Sequence, residues 1–215
     1  MRGLGIIFVI VSLFLGISGA DDTLKCTTMP VNNIPEDWRK MNDPCVAILK
    51  KQVKSELTVA MSYLAMGAYF SRDTVNRPGF SEFFLKSASE EREHGIKIME
   101  YLLMRGQLTS DVTELLTRVP RVERHTWHTG VEALTEALKL EQEVTARIRR
   151  IIETCESKDF NDYHLVDYLT AEFLTEQYKG QRDLAGKIST LGKMTASQKA
   201  LGEFLFDKKL LNNQL

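Results

Sequence analysis

The chain has 215 residues, 43% apolar and 27% charged, which is ordinary for a globular protein and long enough for one large core or two small ones. Lys and Arg number 28 against 29 Asp and Glu, so the formal charge is −1, and no basic run stands out; nucleic acid is excluded as a first reading. Only 13 Gly and 5 Pro, in a chain rich in Leu, Glu, Lys and Ala, argue against sandwiches, barrels and disorder and for an all-α protein of long helices.

The N-terminus reads as a secretory signal over residues 1–20. Arg2 is the charged start, Ile6 to Ile17 an apolar run of 12 residues, and Ser18-Gly19-Ala20 a small-residue cleavage site. That run is too short for a membrane anchor, which needs about 20 apolar residues. The mature chain is therefore expected in the secretory pathway or outside the cell. Residues 21–41 form an irregular, proline-containing arm that carries Cys26. In an oxidising compartment Cys26, Cys45 and Cys155 cannot all pair within one chain. A 26–45 loop and a bond to a partner subunit are both open, while Cys155, on an apolar stripe, reads as a buried thiol.

From residue 42 onward the pattern is helical. Asn42-Asp43-Pro44 starts a first helix that runs to about Ser71, and Asn76-Arg77-Pro78-Gly79 breaks the chain. A second helix is expected from Pro78 to Arg105, a third from about Thr129 to Glu156, and a fourth from Asn161 to Ser189. A short fifth, Thr195 to Leu210, follows Gly192. The first and third links are short, which makes two antiparallel hairpins. The link between the second and third helices, Gly106 to Thr129, is long. A helix of about 28 residues spans about 42 Å, and about 24 extended residues can cover that distance, so the third helix starts at the end where the second began. Residues 42–215 are thus expected to form a four-helix bundle with one long crossover.

Each apolar stripe is interrupted near its middle. The core-facing positions give Glu56 and Tyr63 on the first helix, Glu91 and His94 on the second, Glu141 on the third and Gln177 on the fourth. Mid-helix positions share one level whichever way a helix runs. Carboxylates gathered in an apolar layer lose hydration and repel, so they must be protonated, solvated or neutralised by cations. Glu-x-x-His with single Glu residues from neighbouring helices is a hard, oxygen-rich set suited to iron or manganese more than to structural zinc. By itself Glu90-Glu91-Arg92-Glu93-His94 is a solvated helix face; the coincidence across four helices points to a metal.

These residues resemble the motifs of the ferritin family. Glu56-Leu57 through Tyr63-Leu64, Phe70-Ser71-Arg72-Asp73, the segment Glu90 to His94, Leu140-Glu141, Leu174-Thr175-Glu176-Gln177, and Glu203 through Lys208 follow the family's order and spacing over residues 42–210. The resemblance implies a ferritin-like four-helix bundle with one long B–C crossover and a short fifth helix at the C-terminus. It implies an oxidising, heavy-type subunit, a ferroxidase acting on Fe(II) with dioxygen. Glu56, Glu91, His94 and Glu141 correspond to the ligands of two irons per subunit, Glu91 bridging, with Tyr63 and Gln177 completing the catalytic set. The signal and cysteine-bearing arm are similar to secreted insect ferritins, whose 24-subunit shells mix heavy-type and light-type chains. Asp167 matches an acid of the threefold channel through which iron enters, but its companion position is Thr170 here. Glu90 and Glu93 match acids linked to mineral nucleation, with Ile96 replacing the next one. The apolar face of the fifth helix resembles the lining of the fourfold channel.

Overall fold

The structure, a computed structural model, describes residues 40–108, 115 and 120–215. The expected signal segment, nearly all of the arm and Cys26 lie outside the described residues. Helices α1 (Asp43–Ser71), α2 (Pro78–Met104) and α3 (Gly130–Cys155) are followed by a short α4 (Tyr163–Tyr168). A π-helical segment (Leu169–Leu174) leads from α4 into α5 (Thr175–Leu211). No strand occurs among the described residues, and none of their helices is long and apolar enough to cross a membrane.

Local chemistry sets the helix starts. Prolines occupy the first turns of α1 and α2, where the missing N–H costs nothing. Thr129 Oγ1 accepts from Glu132 N at 3.1 Å and Asp162 Oδ1 from Leu165 N at 3.2 Å, capping α3 and α4. Neither α1 nor α2 has a cap from its own preceding residue. For α2 the deficit is met from the far end of the chain: Asp207 Oδ1 accepts from Phe80 N at 3.0 Å. Glu203 Oε2 likewise accepts from Gly130 N at 2.9 Å, at the start of α3. The Glu203 to Lys208 motif therefore ties the chain's last turns to the N-termini of two bundle helices.

α1 packs against α2 and α3, and α5 packs against the same two, so α2 and α3 stand diagonally opposed. The direction of the long link follows from neighbours at the two ends. A Cβ on Gly130 would collide with the Phe80 ring, so α3 begins beside the start of α2. At the opposite end Arg105 pairs with Asp162 at 3.0 Å and donates to the Lys40 carbonyl at 2.6 Å. The crossover thus runs the length of the bundle, as the lengths require, and buries Leu108, Leu115 and Trp127 along the way.

Two sequence expectations are corrected. Cys45 is bonded to Cys155, with Cα atoms 5.7 Å apart across 110 residues of sequence, so the 26–45 loop is excluded and Cys155 is no free thiol. The cause is topological: the start of α1 and the end of α3 share one end of the bundle, a proximity that spacing along the chain cannot reveal. The expected fifth helix is present as the part of α5 beyond a kink at Lys199, so it starts a few residues later than Thr195. α5 continues through Ser189 and Gly192 and bends at Lys199 (φ 49°, ψ −124°). One glycine costs a helix about 1 kcal/mol, less than continuous packing supplies, so Gly192 does not stop it. The bend is tight enough that a Cβ on Gly202 would collide with the Met194 carbonyl, which is why glycine stands there.

Candidate metal centre

The stripes expected to face inward do so. Glu56 (0% exposed), Tyr63, Glu91, His94, Glu141 and Gln177 are all buried, one or two from each bundle helix, between layers of Val53, Phe84, Val144 and Phe173. Gly180, three residues beyond Gln177 on α5, is exposed and lines the cavity described below. The π-helical segment adds a residue to its turn just before Glu176 and Gln177, and it packs Phe173 against His94 at 5.7 Å between ring centres.

Glu56, Glu91 and His94 each bring one ligand-type atom to within 4.8 Å of the others. Glu56 Oε2, Glu91 Oε2 and His94 Nδ1 are buried without a hydrogen-bond partner. Buried polar atoms are ordinarily paired, because leaving one unpaired costs about 1–3 kcal/mol and more when it is charged. Three clustered residues, each with an unpaired buried atom, fit a cation, and their chemistry, two carboxylates and one imidazole, fits a hard divalent ion. The partners of the acids are Gln52, Tyr63, Gln177, His94 and one another; among the described residues no arginine or lysine neutralises them.

Glu141 plays a different part in the same cavity. Tyr63 donates its hydroxyl to Glu141 Oε1 at 2.5 Å. Glu141 is not among the three converging residues, although it and Glu91 line a common cavity of about 200 Å³ with His94, Glu176 and Gln177. Gln177 Oε1 accepts from Thr145 Oγ1 at 2.8 Å, and Thr145 in turn accepts from Gln181 at 2.5 Å. That chain locks the amide of Gln177 beside Glu141.

Burial dominates the electrostatics. It pushes the Glu91 carboxyl up to about 8, reinforced by the charge of Glu141. Glu56 is held well above the ordinary carboxylate range by burial and by Glu91, against the opposing hydrogen bond from Gln52. Burial raises Glu141 too, while Tyr63 and Gln177 pull it back. Without a cation these acids retain protons; a bound cation displaces them.

Sequence reasoning missed three contributors. Gln52 donates Nε2 to Glu56 Oε1 at 2.8 Å, one helical turn away on the same face. Glu176 Oε2 lies 3.3 Å from His94 Nε2, and Thr145 anchors Gln177. Gln52 was legible from its i,i+4 spacing to Glu56. Glu176 was not, because its side chain is 54% exposed and reads as surface. Among the more distant assignments, Glu90 lies at the cavity rim and pairs with Lys86 at 3.6 Å, whereas Glu93, Asp167 and Thr170 are exposed.

Fold and site together define a helical bundle whose core carries a buried carboxylate and imidazole cluster that could hold a cation. The comparisons agree. A family model described as "Ferritin: Ferritin-like domain" matches residues 46–194. The chain is 57% identical over 188 residues to the ferritin heavy chain of Papilio xuthus, covering 87% of this chain and 88% of that one. It is 54% identical over 194 residues to the ferritin heavy chain of Drosophila melanogaster, covering 90% and 94%. Its fold superposes on the crystal structure of Trichoplusia ni secreted ferritin with a TM-score of 0.83 and 56% identity, over 87% of this chain and 98% of that one. This chain belongs to the ferritin family.

Proposed function

We propose that the chain is a heavy-type iron-storage subunit that oxidises Fe(II) with dioxygen at the mid-bundle site and deposits ferric oxyhydroxide inside a 24-subunit shell. The observation that carries the reading is the buried cluster of Glu56, Glu91 and His94, each offering one ligand-type atom within 4.8 Å of the others, in which Glu56 Oε2, Glu91 Oε2 and His94 Nδ1 have no hydrogen-bond partner. Fe(II) is the substrate. Carboxylate oxygens stabilise Fe(III) more than Fe(II), so binding here makes the ion easier to oxidise. Glu91 belongs to the cluster with Glu56 and His94 and also lines the cavity that Glu141 enters, which suits it to bridge two ions that together give two electrons to dioxygen. Glu176 lies against His94 Nε2, so the ring keeps Nδ1 aimed at the centre. Tyr63 and Gln177 hold the Glu141 carboxylate until the second ion claims it. A site with one imidazole and no cysteine releases its product instead of retaining it. Glu90 and Glu93 as nucleating acids, and Asp167 beside Thr170 in an inlet channel, belong to the same proposal.

Assembly with other ferritin subunits, light-type chains included, is supported by apolar surface that a lone bundle would leave wet. Leu64 and Leu85 are exposed on the α1–α2 flank beside a largely apolar cavity of about 360 Å³, and Leu201, Phe204 and Leu205 are exposed near the C-terminus. Secretion, with residues 1–20 removed and residues 21–41 left as the arm, is supported by the similarity to a secreted ferritin and by the Cys45–Cys155 bond, which suits an oxidising compartment. Stopped-flow mixing of the iron-free protein with Fe(II) in aerated buffer tests the activity. A rapid phase saturating at about two Fe(II) per subunit is expected, and oxidation no faster than in buffer alone would refute it. N-terminal sequencing of the secreted protein should begin at Asp21.

A further inference from the structure

A groove of about 440 Å³ lies between α1 and α3, on a flank separate from the apolar α1–α2 surface. Four cations line it: Lys51 and Lys54 from α1, and Arg147 and Arg150 from α3. All four are exposed. Each pair is spaced i,i+3, about 4.5 Å of helical rise, so the two pairs face each other as the sides of one basic patch. Arg147 is fixed in place by donating to Ser55 Oγ within the groove, and it also reaches Glu143 at 3.2 Å. Among the described residues, Lys51, Lys54 and Arg150 have no carboxylate partner. Positive charge is therefore concentrated in a concave site whose lining includes no acid, and Ser55 and Thr58 lie along it. Composition hides this patch, because its two halves are about ninety residues apart in the chain.

A second basic cavity provides an internal contrast. It is larger, about 590 Å³, and is lined on α5 by Lys179, Arg182 and Lys187. There Lys187 is consumed by Asp183, at 2.6 and 2.7 Å from its two carboxylate oxygens. The α5 cavity carries an acid, Asp183, in its own lining, whereas no acid lines the α1–α3 groove.

We propose that the α1–α3 groove binds a soluble multivalent oxyanion of the phosphate class. Planar guanidinium groups match pairs of phosphate oxygens, and the lysines add point charges that attract the anion without fixing its orientation. A ligand with two linked phosphoryl groups uses both sides of the patch, whereas a single phosphate uses one. The site is distinct from the mid-bundle centre, and its occupancy does not depend on iron oxidation.

The test is calorimetric titration of the full-length, assembled, iron-free protein with inorganic pyrophosphate at low ionic strength. One site per chain is expected, weakening as salt is added and binding orthophosphate more weakly. Lys51→Gln with Arg150→Gln should weaken pyrophosphate at least tenfold with assembly unchanged on sizing, and Arg150→Gln alone about threefold. Lys179→Gln with Arg182→Gln should leave the affinity unchanged. Undiminished binding in the groove variants, an equal loss in the α5 variant, or no binding to the unaltered protein would overturn the proposal. Binding to vesicles containing phosphoinositide without binding to free pyrophosphate would overturn it as well, because the anion would then belong to a membrane.

Discussion

Buried acids occur in two regions of this bundle and are treated in opposite ways. At the end where α2 finishes and α4 begins, Asp162 receives both guanidinium nitrogens of Arg105, each at 3.0 Å, and caps Leu165 N. At mid-height Glu56 and Glu91 are buried as deeply, yet each leaves one oxygen unpaired and neither touches a cation. Residue type and burial are alike; what differs is whether the fold supplies the counter-charge. Where it does, the acid is structural. Where it does not, the acid keeps its proton in the absence of a cation, and under the proposed function it gives that proton up to serve as an iron ligand.

That contrast is broken most severely at the centre. Glu91→Ala or His94→Ala should slow rapid Fe(II) oxidation about tenfold to a hundredfold, the range typical for damage to a metal site, while leaving assembly intact on sizing. Unchanged stopped-flow kinetics would remove the site assignment. Next in size is the disulfide beside the structural acid. Cys155→Ser opens a 110-residue loop and should destabilise the subunit by about 4–5 kcal/mol in the chain-entropy account, read as a lower denaturant midpoint, with the oxidation rate of the folded protein preserved. Arg105→Ala strands Asp162 and should cost about 3 kcal/mol by the same measurement, whereas Glu91→Gln, which removes an acid lacking a counter-charge, should cost the iron-free protein nothing.

The smallest effect concerns pH. Glu91 is raised in the folded state to about 8 from an ordinary 4.5, so the folded chain holds a proton that the unfolded chain releases. Its contribution to iron-free stability is complete below about 4.5 and is lost as pH rises through about 8. Thermal melts should therefore fall across that window. Glu91→Gln should flatten the trend, and a redox-inert divalent ion should reverse it while releasing protons to an indicator dye. A melting temperature that rises with pH in the iron-free protein would contradict the electrostatics of the site.

Much of this was legible in the amino-acid order. The prolines at the starts of α1 and α2, the Thr129 cap and the 3.6-residue periodicity place three helices to within a residue or so, because helix formation is decided by neighbours in the chain. The polar layer was legible for the same reason: Glu56, Glu91, Glu141 and Gln177 interrupt apolar stripes near the helix centres, and rods of similar length align their centres. Glycine was over-read at Gly192, where tertiary packing outweighs a local penalty, and under-read at Gly202, where the Met194 carbonyl, across the Lys199 kink, excludes any side chain.

Periodicity and spacing thus determined the helices, the bundle and the mid-height acids, since each depends on residues a few positions apart. Only the tertiary structure decided that Cys45 meets Cys155, that Asp207 and Glu203 cap helices begun far earlier, that Glu176 touches His94, and that lysines of α1 and arginines of α3 form one groove. Those pairings join residues from about 70 to about 130 positions apart, with Glu176 and His94 some 80 apart. A distance in space between such residues is set by how the helices pack, which no local pattern in the chain records.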